Sequence, residues 1–205
     1  MSPRPYQLGK RQAQVDQARQ RVLSASRALL AESDNYTAFT VEAVAKRADV
    51  ARATVYYQFG SKTGLLEAVC DDLARAGGMG HLDAAFGQGD PVGALEAFVG
   101  AFARFWEADR PVLRRLRALA ELDPEVATVI RARDERRMQG LEVLSARLVP
   151  ADQGAAHELA RVLHMLTSFE AFNALAAGES RFAEVIPVVM TLASAAVASA
   201  RARTG

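Results

Sequence analysis

Residues 41–62 read VEAVAKRADVARATVYYQFGSK. Val41, Val44, Ala45 and Ala48 recur at the spacing of one helix face, and Thr40 stands just before them, where a hydroxyl caps orphaned backbone N–H groups. Two short helices pack at a steep angle only if the first offers a small contact residue and the turn accepts an unusual backbone. Ala45 is small. Asp49, four residues on, falls where the turn needs a left-handed residue, and Asp is among the few non-glycines that manage it. Val50 plugs the turn, Val55 anchors the second helix from inside, and Phe59 closes a small core. This is the spacing of a helix-turn-helix, with the motif at about 41–60.

With Val55 inward, Arg52, Ala53, Thr54, Tyr56 and Tyr57 fall on the other faces and at the helix start. Two adjacent tyrosines on a helix cannot both face the core. In such a motif the second helix enters the major groove of DNA and its first residues meet base edges. Arg52 has the fork that matches guanine O6 and N7. Thr54 and the tyrosine hydroxyls suit phosphates or bases, and Ala53 permits close approach or meets a thymine methyl. Lys62, opening the next helix, joins a positive charge to free N–H groups and suits a phosphate.

Upstream, Ala18, Val22, Ala25 and Leu29 form one amphipathic stripe, and that helix is expected to stop near Asp34-Asn35. Before it, residues 1–16 read as a basic arm. Lys10, Arg11 and Arg19, with Arg4 and Arg21, either reach phosphates or a minor groove, or belong to a solvated tail. Downstream, Ser61 suits the cap of a helix burying Leu65, Leu66, Val69 and Leu73, which ends in the GGMG of 77–80. Residues 77–90 hold five glycines and read as a linker or frayed connection, the best domain boundary in the chain. Helical patterns follow from Pro91 to Ala108, Pro111 to Leu122, Pro124 to Leu148, Ala151 to Ala177 and Arg181 to Arg203. No strand alternation stands out, so the fold class is all-α. A three-helix helix-turn-helix domain at 17–76 precedes a helical C-terminal domain at 77–205.

Composition agrees with this division. The chain has 205 residues, 50% of them hydrophobic, enough for a sizeable core. Residues 1–62 hold 10 Lys+Arg against 5 Asp+Glu, and residues 63–205 hold 15 against 19, so a net of +5 precedes a net of −4. Polyanion binding therefore belongs at the N-terminus, unless the asymmetry is only a solvated surface. Cys70 is the lone cysteine, which excludes a disulfide framework. No signal peptide or long uninterrupted apolar run is evident, and the reading is cytoplasmic. No cofactor is expected. His157 and His164 lack the spacing of a metal pair, and no catalytic arrangement is seen.

In the C-terminal domain, Phe98, Phe102 and Phe105 share a helical face beside Trp106, and Met165, Phe169 and Phe172 form a second stripe. Such residues line cores and ligand pockets alike. As a pocket, the set is Phe98, Phe102, Trp106, Met138, His164, Met165, Phe169, Phe172 and Asn173, with His164 and Asn173 orienting an apolar or aromatic ligand. Arg114, Arg115, Arg117 and the run 131–138 read as solvated faces, or else attract an anionic effector or DNA. The helices at about 155–176 and 183–203 suit a dimer-related four-helix bundle or an intramolecular core.

The run Tyr36-Thr37-Ala38-Phe39-Thr40, then Ala45, Thr54-Val55-Tyr56-Tyr57-Gln58-Phe59, Ser61-Lys62 and Leu65-Leu66 resembles the DNA-binding domain of the TetR family of bacterial transcriptional regulators. The resemblance covers about residues 17–75. It implies a homodimer on a palindromic operator, released by a small effector in the C-terminal domain. Matched by position, it implies that Thr40, Arg52, Thr54, Tyr56, Tyr57 and Lys62 contact DNA. The family usually has Gly where this chain has Asp49, and Ser where it has Ala51. The expected function is a sequence-specific regulator, a repressor rather than an enzyme. The competing readings are a small all-α enzyme using the aromatic pocket, and a nucleic-acid-associated structural protein without an effector.

Overall fold

The computed structural model describes residues 4–32, 39–176 and 181–203, with side chains from residue 12 onward. The expected helix stop at Asp34-Asn35, residues Tyr36 to Ala38, and the side chains of Lys10 and Arg11 lie outside the described residues. Every regular element among the described residues is helical. The chain divides into two compact units, residues 1–72 with 111–130 and residues 73–110 with 131–205. The segment 111–130 thus groups with the N-terminal helices.

The first unit is built on α1 (Arg4–Glu32), α2 (Val41–Arg47), α3 (Arg52–Phe59) and the start of α4 (Lys62–Ala76). Most of the segment read as an arm is helical: α1 begins at Arg4, and Pro5 sits in its first turn, where a missing N–H costs nothing. Ala18, Val22, Leu23, Ala25 and Leu30 of α1 are buried with Val44, Ala45, Val55, Leu65, Leu66 and Val69. Leu29 is only half-buried and Leu30 takes the core position expected of it. Thr40 caps α2, its Oγ1 accepting from the Ala43 N–H at 3.1 Å. Asp49 is left-handed at φ 52°, as the turn requires. Ala51 puts no side-chain bond on the start of α3. The cost of this φ is borne by Asp better than by most residues. Asp49→Ala is therefore expected to lower stability by about 1 kcal/mol, and Asp49→Gly to leave the chemical-denaturation midpoint unchanged or higher.

Two glycines shape the exit from α3. Gly60, at φ 76°, ends the helix. Ser61 caps α4 through the Gly64 N–H at 3.0 Å. At Gly64 a Cβ would stand 2.0 Å from the Phe59 carbonyl oxygen, so a bare backbone is what lets the end of α3 sit against α4. The unit also includes α7 (Arg110–Ala120) from Pro111 and the first turns of α8 (Pro124–Leu148). Buried Val112, Leu113, Leu116, Leu119, Val126 and Val129 fix their apolar faces.

In the second unit the glycine-rich stretch is ordered. A 3-10 turn at Met79–His81 and the short α5 (Asp83–Phe86) occupy it, with Ala85 buried. The Arg147 guanidinium donates to the carbonyls of Phe86, Gln88 and Gly89, satisfying backbone that glycine composition alone leaves open. Asp90 then caps α6 (Pro91–Ala108) through the N–H groups of Val92 and Gly93, 3.2 and 2.8 Å away. The single helix expected over 151–177 is two, α9 (Gln153–Leu166) and α10 (Phe169–Leu175). Thr167 Oγ1 donates to the Leu163 carbonyl at 2.8 Å, and Ser168 accepts from the Ala171 N–H at 3.1 Å. Adjacent hydroxyl residues offer the backbone bonds that end one helix and begin the next.

The last helix, α11 (Phe182–Ala202), packs on α6 and α9 through Val185, Val189, Ala193, Val197 and Ala200. Its length and a mean hydropathy of 1.7 over 18 residues equal those of a membrane-crossing helix, with 28% of that window buried. A search for uninterrupted apolar runs overlooks it because Pro, Thr and Ser punctuate the stretch. Val188 and Leu192 point away from the chain's own core.

Candidate nucleic-acid interface

Buried Val55 and Phe59 fix the rotation of α3, and the rest of its surface follows. Tyr57 is 84% exposed and Tyr56 38%, large aromatic areas that burial would have favoured covering. Arg52 and Ala53 are exposed and Thr54 is half-buried. Arg52 is held in a small polar set. Its Nε lies 2.8 Å from Glu42 Oε1, its Nη2 donates to the Tyr56 hydroxyl at 3.2 Å, and its guanidinium lies 5.2 Å from the Tyr56 ring centroid. The bond to Tyr56, and then the charge of Glu42, raise the Arg52 pKa above its ordinary value, so the group stays cationic. An exposed pair of this kind contributes little stability but sets where the side chain waits. Docking on a guanine requires exchanging one of these bonds for the base edge.

Beside α3 lies an open groove of about 440 Å³, lined by Thr40, Val41, Glu42, Tyr56, Gly60, Ser61, Lys62 and Glu125. It takes in the capped N-terminal ends of α2 and α4, whose helix dipoles attract anions. The groove thus gathers Thr40, Tyr56 and Lys62, with Arg52 joined to it through Glu42 and Tyr56, while Ala53, Thr54 and Tyr57 occupy the other faces of α3. Arg19 is placed differently. Its Nη1 donates to the Gln58 carbonyl at 3.4 Å and its guanidinium stacks 4.5 Å from the Phe59 ring centroid, while Gln58 Nε2 reaches the Val15 carbonyl at 3.3 Å. Arg21 Nε bonds the Ala48 carbonyl at 3.3 Å. Both arginines brace the motif from α1.

Two residues in this region escape a reading of the motif. Lys62 Nζ bonds Asp123 Oδ2 and lies 3.7 Å from Glu125 Oε2. Thr63 Oγ1 donates to Glu125 Oε1 at 3.2 Å. Asp123 also accepts the N–H groups of Glu125 and Val126 at 2.9 and 3.4 Å, capping α8. Burial pushes the Asp123 carboxyl upward, but the Lys62 bond, the two N–H groups and the Lys62 charge together hold it below the usual carboxylate range. A depressed folded-state pKa means that this stabilisation is present at neutral pH and lost as pH falls through that value in the acid range. A search for local motifs misses these carboxylates because they lie some sixty residues downstream of Lys62.

In the second unit, Phe98, Phe102, Trp106, Phe169, Phe172 and Phe182 form a continuous chain of ring contacts, with centroids 4.7–6.1 Å apart. Met138, His164 and Asn173 are half-buried, and Met165 faces outward. His164 Nε2 lies 3.1 Å from the Asp134 carbonyl. Arg137, from the run read as a solvated or anion-attracting face, is buried. It bonds the His164 carbonyl, Thr167 Oγ1 at 3.0 Å and Asp134 Oδ1 at 3.1 Å. Its guanidinium lies 5.9 Å from the Phe102 ring centroid.

A helix-turn-helix domain that presents an arginine and two tyrosines on its second helix defines the class: a DNA-binding transcriptional regulator. Residues 22–69 match the sequence model of the bacterial regulatory proteins of the tetR family. A search of curated protein sequences finds no significant match. Among solved structures, a transcriptional regulator from Rhodococcus sp. Rha1 is similar at TM-score 0.61 and 21% identity, over 88% of this chain and 94% of that one. The TetR family transcriptional regulator PfmR from Thermus thermophilus is similar at TM-score 0.59 and 22% identity, over 84% and 96%.

Proposed function

We propose that this chain is a cytoplasmic homodimeric repressor that reads a palindromic operator with α3 and leaves it when a small apolar or aromatic effector binds the second unit. The observation that carries the DNA-reading part is Tyr57, left almost fully exposed on a helix whose opposite side is buried. Thr40, Arg52, Ala53, Thr54, Tyr56, Tyr57 and Lys62 form the reading and clamping surface. Lys10 and Arg11 extend it along DNA from the first turns of α1. Arg19 serves it by bracing α3.

Dimerisation is assigned to the outward faces of α9 and α11. Val162 and Met165 on α9 and Val188 and Leu192 on α11 are apolar and exposed, against the rule that isolated chains cover large apolar patches. A second copy covers them by two-fold symmetry. The effector is assigned to the surroundings of Phe102, Trp106, Phe169 and Arg137, where rings supply apolar contact and Arg137, Thr167 and His164 supply orientation. Effector release follows from differential affinity. An effector that prefers the conformation with wrongly spaced recognition helices lowers operator affinity in proportion. Half-sites one turn apart, about 34–36 Å, leave little tolerance.

Selection of bound fragments from a random duplex pool is the test. Recovery of an inverted repeat with half-sites one or more whole turns apart is the expected result. Recovery of unrelated sequences with equal affinities would leave only a sequence-independent DNA protein.

A further inference from the structure

We propose that the acidic corner formed by Asp123 and Glu125 is an intramolecular stand-in for a DNA phosphate, occupying Lys62 in the free protein and lowering DNA affinity until a phosphate displaces it. The inference rests on the DNA-binding reading above. Its evidence is geometric. Lys62 opens α4 at the edge of the groove that Thr40, Glu42, Tyr56 and Ser61 also line. Both anionic groups that pair with Lys62 come from one short stretch, Asp123-Pro124-Glu125, at the turn from α7 into α8.

The charges do not balance. One ammonium faces two carboxylates, so the place where a phosphate would dock carries a net negative charge. An incoming phosphate must displace Asp123 from Lys62 and approach Glu125. Neither carboxylate is loosely held. Asp123 is anchored by capping α8, and Glu125 is tied to the Thr63 hydroxyl at 3.2 Å. Because the Asp123 pKa is depressed, that carboxylate remains ionised throughout the neutral range.

Beneath the corner, a cleft of about 260 Å³ lined by Phe39, Thr40, Leu119, Leu122, Val126, Lys62 and Asp123 gives the pair room to separate. The corner thus acts as a latch whose strength sets the DNA affinity of the free protein. Anything that moves the Asp123-Glu125 stretch away from Lys62 strengthens binding, and anything that tightens it weakens binding.

Asp123→Asn separates the roles of that residue, because Asn caps a helix as well as Asp does but carries no charge. Glu125→Gln leaves the cap untouched. Both full-length variants are titrated, alongside wild type, with a random-sequence duplex of about 30 base pairs and with the selected operator over a range of salt concentrations. The expected result is at least about fivefold tighter binding to both duplexes, with the salt slope steeper by about one per released lysine, near the −0.9 expected for each phosphate contact. The gain should vanish when Lys62→Met is added, and circular dichroism melting should show each variant folded. Wild type that binds while neither folded variant gains affinity would remove the latch and leave the DNA-binding reading intact. Looser binding by either folded variant would also remove it, because the carboxylates would then be positioning Lys62 for DNA. No binding by wild type or by any variant would remove both.

Discussion

Arg52→Ala is expected to abolish most of the discrimination between the operator and a scrambled duplex. A bidentate arginine–guanine pair is worth about 1–3 kcal/mol, so two symmetric half-sites lose roughly 2–6 kcal/mol, or about 30-fold to 10⁴-fold in affinity. Binding to scrambled DNA should fall much less, since there the side chain contributes only its charge. The fold should be spared because Arg52 is exposed and its partners, Glu42 and Tyr56, are exposed as well. Competition titrations with the two duplexes measure the ratio directly. An unchanged ratio would show that Arg52 does not read bases and would move the specificity to Thr54, Tyr56 or Tyr57.

The double substitution Val188→Lys with Leu192→Lys is expected to convert the protein to a folded monomer. The two residues are 48% and 45% exposed, one helical turn apart on α11, on the side away from Val189 and Ala193. Lysine at these positions remains solvated in a monomer but meets its symmetry mate in the dimer, where desolvation and like-charge repulsion oppose association. Operator affinity should then drop by about 10²–10⁴-fold, the avidity lost when two half-site events are no longer linked. Sedimentation velocity checks the mass and titration checks the affinity. A dimer that survives both lysines would place the interface elsewhere, and a monomer that binds the operator undiminished would dismiss the symmetric reading.

These two outcomes concern different faces, and the sequence announces them unequally. The reading face is legible because its logic is local. Thr40, Ala45, Asp49 and Val55 dictate the turn within one short stretch, and the tyrosine pair must then expose at least one ring. The aromatic stripes were legible as stripes, but periodicity reports which residues share a face and not what meets it. Their rings prove to contact one another, and Met165 lies outside that set because Thr167 and Ser168 end α9 and start α10.

The sequence by itself determined the all-α class, the helix-turn-helix, the cap at Thr40, the left-handed Asp49 and the inward Val55, since each follows from bonds and backbone preferences between near neighbours. Tertiary structure alone decided that Arg19 braces α3, that Arg137 is buried, and that Lys62 lies against Asp123 and Glu125. Those outcomes depend on which distant segments meet, and the partner of a charged side chain is set by three-dimensional proximity, for which a linear spacing has no term.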